Sequence, residues 1–102
     1  MASAKHLPIK IDQKKIAVFC RTHGIGRLSL FGSVLRDDFD PVRSDVDVLV
    51  EFLPGRTPGW EFFLWHEELE VILGHKVDLF SGLNPWLDPL VRQEMLPLYE
   101  QA

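Results

Sequence analysis

Residues 45–52, DVDVLVEF, constrain the fold more than any other stretch of the chain. Side chains alternate across a β-strand. Val46, Val48, Val50 and Phe52 therefore share one face, and Asp45, Asp47, Leu49 and Glu51 share the other. Such a strand has one side to bury and one side that carries acids. It needs neighbouring strands and an apolar layer to lie against. The first expectation is a small sheet with one covered face and an opposite face left open around the acidic residues.

The rest of the chain supplies the partners. Asp12 reads as a helix N-cap, with Ile11 and Ile16 placed as a hydrophobic staple. A helix from there to about Thr22 buries Ile16, Phe19 and Cys20, and Gly24 stops it. RLSLFG, residues 27–32, reads as a strand that Gly32-Ser33 breaks, after which SVLRDDF can form a short helix. Asp40-Pro41 marks a loop, and PGRTPG, residues 54–59, is a turn-rich linker. A helix runs from about Trp60 to Leu73, ended by Gly74, with Phe62, Trp65, Leu69 and Ile72 on its stripe. KVDLF, residues 76–80, is a third strand. Asn84 and Pro85 then start a last helix as N-cap and first helical position. The order α-β-α-β-α-β-α predicts an α/β (α+β) fold, with a small mixed sheet and helices packed on one face.

Bulk properties narrow the function. A length of 102 residues suits one domain over 1–102, with its core in about 12–100. The net charge is −4 and there is no basic run, a poor footing for direct binding of nucleic acid and a better one for a basic partner. The single cysteine, Cys20, excludes an internal disulfide framework and points to a reducing cytoplasm. The N-terminus lacks the apolar core of a signal peptide, and no apolar stretch is long enough to span a bilayer.

Chemistry gathers around the acids. Asp45 and Asp47, two apart on a strand, point the same way, roughly 6.5–7 Å apart at Cα. They repel each other unless a cation compensates, and Mg²⁺ takes oxygen ligands from carboxylates and substrate phosphates. A DxD pair alone is more often a solvated strand edge. Gly32-Ser33 follows a strand and opens a short helix, where backbone amides can receive phosphate oxygens, and Arg36 lies one turn on. Alone, this too is an ordinary tight turn with a solvated arginine. Asp78, flanked by Val77 and Leu79, is out of keeping with strand propensity. Together the three acids and the turn make a coherent site for a metal and a nucleotide.

The stretch LFGSVLRDDFDPVRSDVDVLVEF resembles the signature of the minimal nucleotidyltransferases of the polymerase-β superfamily. Gly32, Ser33, Arg36, Ser44, Asp45 and Asp47 match its pattern in order, and Asp78 stands where the family often has its third carboxylate. VRQEMLPLYE is similar to the family's last helix. Asp37 departs from the pattern, since many relatives have glycine there. The resemblance implies a polymerase-β-like fold and transfer from a nucleoside triphosphate, ATP, with Mg²⁺, two ions, held by Asp45, Asp47 and Asp78. Gly32, Ser33, Arg36 and Ser44 would then bind the nucleotide. It further implies an antitoxin whose partner is a HEPN ribonuclease toxin, AMP being passed to a hydroxyl, a tyrosine, of that toxin. Two alternatives stand beside this: an antitoxin that inhibits by binding alone, and transfer to a small molecule.

The remaining residues read plainly. His6, His23, His66 and His75 have no ligand-like spacing and suit surface or capping roles. Trp60, Phe62, Phe63 and Trp65 cannot share one helical stripe, so some of them reach the surface. The cluster reads equally as a wide core contact in a thin domain or as a partner-binding patch, and on the second reading the 60–73 helix is the candidate contact, with Trp60 or Trp65 as its anchor.

Overall fold

A computed structural model describes residues 7–36, 39–40, 42–56, 59–81, 89 and 93–101. Helix α1 spans Gln13–His23. Its N-terminus is held by Asp12, whose carboxylate accepts a hydrogen bond from the Lys15 amide at 3.1 Å. Helix α2 spans Trp65–Leu73 and is entered through a 3₁₀ turn, Trp60–Leu64. Both helices close on glycines in the left-handed conformation, Gly24 and Gly74.

Among the described residues, four strands form one mixed sheet: β1 (Ile25–Phe31), β2 (Val46–Phe52), β3 (Val77–Phe80) and β4 (Leu96–Glu100). Their order is β3-β2-β1-β4. β1 runs antiparallel to both β2 and β4, and β2 runs parallel to β3. Both helices lie on one face. Ile16, Phe19 and Cys20 of α1 and Trp65, Leu69 and Leu73 of α2 join Leu28, Leu30, Val46, Val48 and Val50 in the core. The alternation read in DVDVLVEF is realised on that side of β2. Burial pushes the Cys20 thiol up to about 12, so it is an inert core group.

Three expectations are corrected. The C-terminal stretch is not helical throughout: residues 96–100 form β4, at the sheet edge beside β1. Pro97 is tolerated because an edge strand has donors to spare. The expected helix start at Asn84-Pro85 lies outside the described residues. Next, the acidic face is not open throughout. Phe31 and Phe80 meet over β2 with ring centroids 5.3 Å apart, and Leu49 on that strand is 1% exposed. Two aromatic rings on the flanking strands reach across a leucine more readily than water can solvate it.

The third correction concerns Trp65, which is a core residue, 6% exposed, and not available as an interface anchor. It lies against His23, with centroids 4.1 Å apart, and against the rings of Phe19, Phe52 and Phe62. His23 is held in turn by Glu68 at 3.1 Å. Trp65→Ala is expected to cost about 3–5 kcal/mol of stability, as for other buried large-to-small changes. Urea unfolding checks this, and a loss under about 1 kcal/mol would show that the ring does not hold α2 to the sheet.

Candidate active site

The acids converge because of strand pairing. Asp47 of β2 lies directly beside Asp78 of β3. Neighbouring strands are about 4.8 Å apart. Asp45 immediately precedes β2, and the next residue, Val46, donates its amide to the Lys76 carbonyl at 2.8 Å. That bond clamps the entries of β2 and β3 together, and so Asp45 reaches Asp78.

The electrostatics follow from this crowding. Asp47 is pushed up to about 6, first by burial and then by the charges of Asp78 and Asp45, against a smaller opposing pull from Arg36. Asp78 is also raised, by burial, by the charge of Asp45 and by a hydrogen bond with Asp45, while His66 acts the other way. A carboxyl group in such a cluster holds its proton because a second negative charge nearby is costly. Among the described residues, no group of three or more histidine, cysteine, aspartate or glutamate side chains is placed so that it could hold a metal ion as the side chains stand. The donor chemistry nonetheless suits a hard divalent cation: all three groups offer oxygen, and the charge of Asp45 works against ionisation of both Asp47 and Asp78.

The phosphate-type turn adjoins the same carboxylates. β1 ends at Phe31, which pairs with Asp47, and a 3₁₀ turn, Gly32–Leu35, follows at once. Gly32 has φ +80°, and a Cβ there would run into Asp47 Oδ2. Glycine is thus required twice, by its backbone angle and by the carboxylate packed against it. The short helix expected over SVLRDDF is this single turn: Arg36 is already extended, and its amide donates to the Ser33 carbonyl at 2.9 Å. Asp37 lies outside the described residues.

Arg36 stands near enough to draw Asp47 down and gives a hydrogen bond from Nη2 to Glu94 Oε1 at 3.1 Å. Ser44 serves the loop before β2. Its amide donates to the Asp40 carbonyl at 2.8 Å, and its Oγ accepts from the Asp40 amide at 3.1 Å. The hydroxyl therefore holds the segment that delivers Asp45 and keeps its own hydrogen to offer a ligand. The fold thus gathers Gly32, Ser33, Arg36, Asp45, Asp47 and Asp78 in one region, with Ser44 supporting Asp45.

Sequence reasoning missed Glu94, 58 positions from the arginine it binds, and no local spacing signals such a pair. It also passed over His66. The imidazole lines a cavity together with Asp78, and its Nδ1 lies 2.8 Å from the Phe63 carbonyl. The cue available was its position four residues before Glu70, whose carboxylate accepts from the Val77 amide at 3.1 Å and so ties α2 to the start of β3.

Comparisons with known proteins identify the family. Residues 13–96 match the family described as Nucleotidyltransferase domain. The chain is 33% identical over 84 residues to "Putative protein adenylyltransferase MJ0435" of Methanocaldococcus jannaschii, covering 80% of this chain and 88% of that one. A solved "putative minimal nucleotidyltransferase" superposes with a TM-score of 0.66 at 37% identity, over 83% of this chain and 87% of the other. The fold is shared at 19% identity, with a TM-score of 0.62, by a complex of tri-AMPylated Shewanella oneidensis HEPN toxin with MNT antitoxin; the match covers 87% of this chain and 70% of that one. With its match to the family spanning most of the sequence, the chain belongs to the nucleotidyltransferase domain family.

Proposed function

We propose that this chain is a Mg²⁺-dependent protein adenylyltransferase that passes AMP from ATP to a hydroxyl of a partner protein, acting as the antitoxin of a HEPN ribonuclease toxin. The observation that carries the reading is the pairing of Asp47 with Asp78 beside a glycine turn that packs on Asp47. The name of the archaeal relative and the HEPN–MNT complex that shares the fold support the choice of acceptor and partner.

Asp45, Asp47 and Asp78 would hold the metal, which when bound neutralises the triphosphate and polarises the reacting phosphoryl oxygens. The amides of the Gly32–Leu35 turn and the guanidinium of Arg36 receive the phosphates leaving as pyrophosphate. The acceptor hydroxyl oxygen forms a bond to the α-phosphorus, and the bond from that phosphorus to the bridging oxygen of the β-phosphate breaks. The hydroxyl proton would pass to the Asp78 carboxylate.

Two measurements test this. Mg²⁺–ATP at a hundredfold excess over its Kd should stabilise the protein by about 2.7 kcal/mol, which is read as a rise in Tm. No rise at millimolar nucleotide would count heavily against the site. Mixing with a HEPN partner, ATP and Mg²⁺ should add one or more AMP units to the partner's mass. A second reading rests on the exposed aromatics Trp60 and Phe63, each 74% exposed, which offer a partner-binding patch needing none of the acids. Tight inhibition of the partner with no mass gain, kept in Asp47→Asn, would establish that reading in place of catalysis.

A further inference from the structure

The helix layer carries a groove between α1 and α2. It holds about 450 Å³, and its walls include Lys14, Lys15 and Val18 of α1 and Glu68, Val71 and Ile72 of α2. Val18 is 55% exposed and Val71 84%. One valine on a helix surface calls for no explanation. Here two stand on facing helices beside Ile72, with the core residue Phe19 also in the lining, which makes a continuous apolar strip. A second groove, of about 500 Å³, continues the first past Lys14 and Ile72 to Lys10 and Ile11.

The charges beside this strip are segregated by helix. α1 supplies Lys14 and Lys15, and α2 carries Glu67 and Glu68 in its first turn. Among the described residues neither lysine has an ion-pair partner. The two helices run antiparallel. His23 at the end of α1 meets Glu68 in the first turn of α2, and Ile72 near the end of α2 shares both grooves with Lys14 near the start of α1. A lysine edge and a glutamate edge on either side of one apolar strip complement each other under a two-fold rotation. With the axis along the groove, α1 of one copy lies on α2 of the other. Lys15 then faces the other copy's α2 near Glu68 and Val71, within reach of its long, flexible stem. The exposed valines fill the centre.

We propose that this face is a self-association surface, on which a second copy of the chain docks to form a two-fold dimer through α1 and α2. A partner of one charge satisfies one edge of the strip and is repelled by the other, whereas a second copy satisfies both. The four helices then form the middle of the assembly, with a sheet on either side. Val46, Val48 and Val50 face the helices, so Asp47, which alternates with them on β2, lies on the opposite face of the sheet. The dimer therefore leaves the carboxylates uncovered, and the proposal stands apart from the transfer reading.

The test is sedimentation equilibrium of the full chain from micromolar to millimolar concentration. A monomer–dimer equilibrium is expected. Val71→Asp, at an exposed position, should raise the dimer Kd about tenfold or more. Lys15→Glu and Glu68→Lys should each weaken self-association about fivefold or more, because each sets like charges against each other twice. An equimolar mixture of those two variants should recover dimers near the wild-type affinity, since both opposed pairs are again of opposite sign. Glu68→Lys also gives up the His23 contact, so Glu67→Lys, exposed in the same turn, serves as the second variant, and urea unfolding checks that each is folded. A chain that stays monomeric over the whole range overturns the proposal. So does a dimer insensitive to Val71→Asp, or a mixture as weak as its components. A monomer in which a synthetic acidic amphipathic peptide shifts the amides of residues 14–18 and 68–72 would make the groove a site for another protein, and that result overturns it as well.

Discussion

Asp47→Asn abolishes nucleotide transfer and, in the nucleotide-free protein at neutral pH, raises stability. The two effects have one origin. The Asp47 carboxyl is held at about 6, against an ordinary 3.8, by burial and by the charges of Asp78 and Asp45. The folded protein therefore binds this proton more tightly than the unfolded chain does. The stability so contributed is complete below about pH 4 and is lost as pH rises through about 6. At pH 7 the wild type carries an anion that its fold disfavours, and asparagine removes it. After discounting for solvent screening at a partly exposed group, the gain is on the order of 1 kcal/mol. The catalytic loss should be about a thousandfold or more, since the charge that meets metal and phosphate is gone. Urea unfolding of both proteins across pH 4 to 7, beside a transfer assay, reads both effects. Transfer near the wild-type rate in a folded Asp47→Asn protein would end the catalytic assignment. An unchanged stability difference across that range would end the electrostatic one.

Gly32→Ala is expected to cut transfer by about a hundredfold, the scale of a slight misplacement of reacting groups. The backbone there has φ +80°, and the new methyl group would meet Asp47 Oδ2. Relief requires the carboxylate to swing away from its neighbours or the turn to open, and either one spoils the relation between phosphate loop and acids. Gly55 provides an internal control. It has φ +79°, yet a Cβ there meets nothing within 4 Å. Both alanines carry the cost of a left-handed residue, about 1–2 kcal/mol, and only Gly32→Ala also displaces Asp47. Gly55→Ala should leave transfer intact. Equal losses in the two variants would show that backbone strain alone is at work and that the Gly32–Asp47 contact is immaterial.

Much of this was legible in the sequence because the signals were local. Strict alternation in DVDVLVEF located β2, and caps at Asp12, Gly24 and Gly74 placed the helix ends within a residue or so. The gathering of Gly32, Asp45, Asp47 and Asp78 was foreseeable from order and strand context. Long-range partners were not. LPLYE becomes a strand because β1 needs a second neighbour, and a proline inside an otherwise helix-like run hides that. Trp65 belongs to the core because His23 and Phe52 come to it from elsewhere in the chain. Glu94 and His66 acquire their places only once the sheet is assembled.

The pairing of β1 with β4 also bears on the order of assembly. Arg27 gives one hydrogen bond to Glu51 and another to Glu100, 73 positions later in the chain. Contacts of such separation form late, because loop closure must come before any reward from the contact. The strands bearing the carboxylates, β2 and β3, and their neighbour β1 can therefore pair while residues 96–100 are still unplaced. During that interval β1 presents an unpaired edge, the kind of surface on which nascent chains associate wrongly. By pairing with β1, β4 covers that edge, and a chain lacking residues 96–100 is expected to be the more aggregation-prone species.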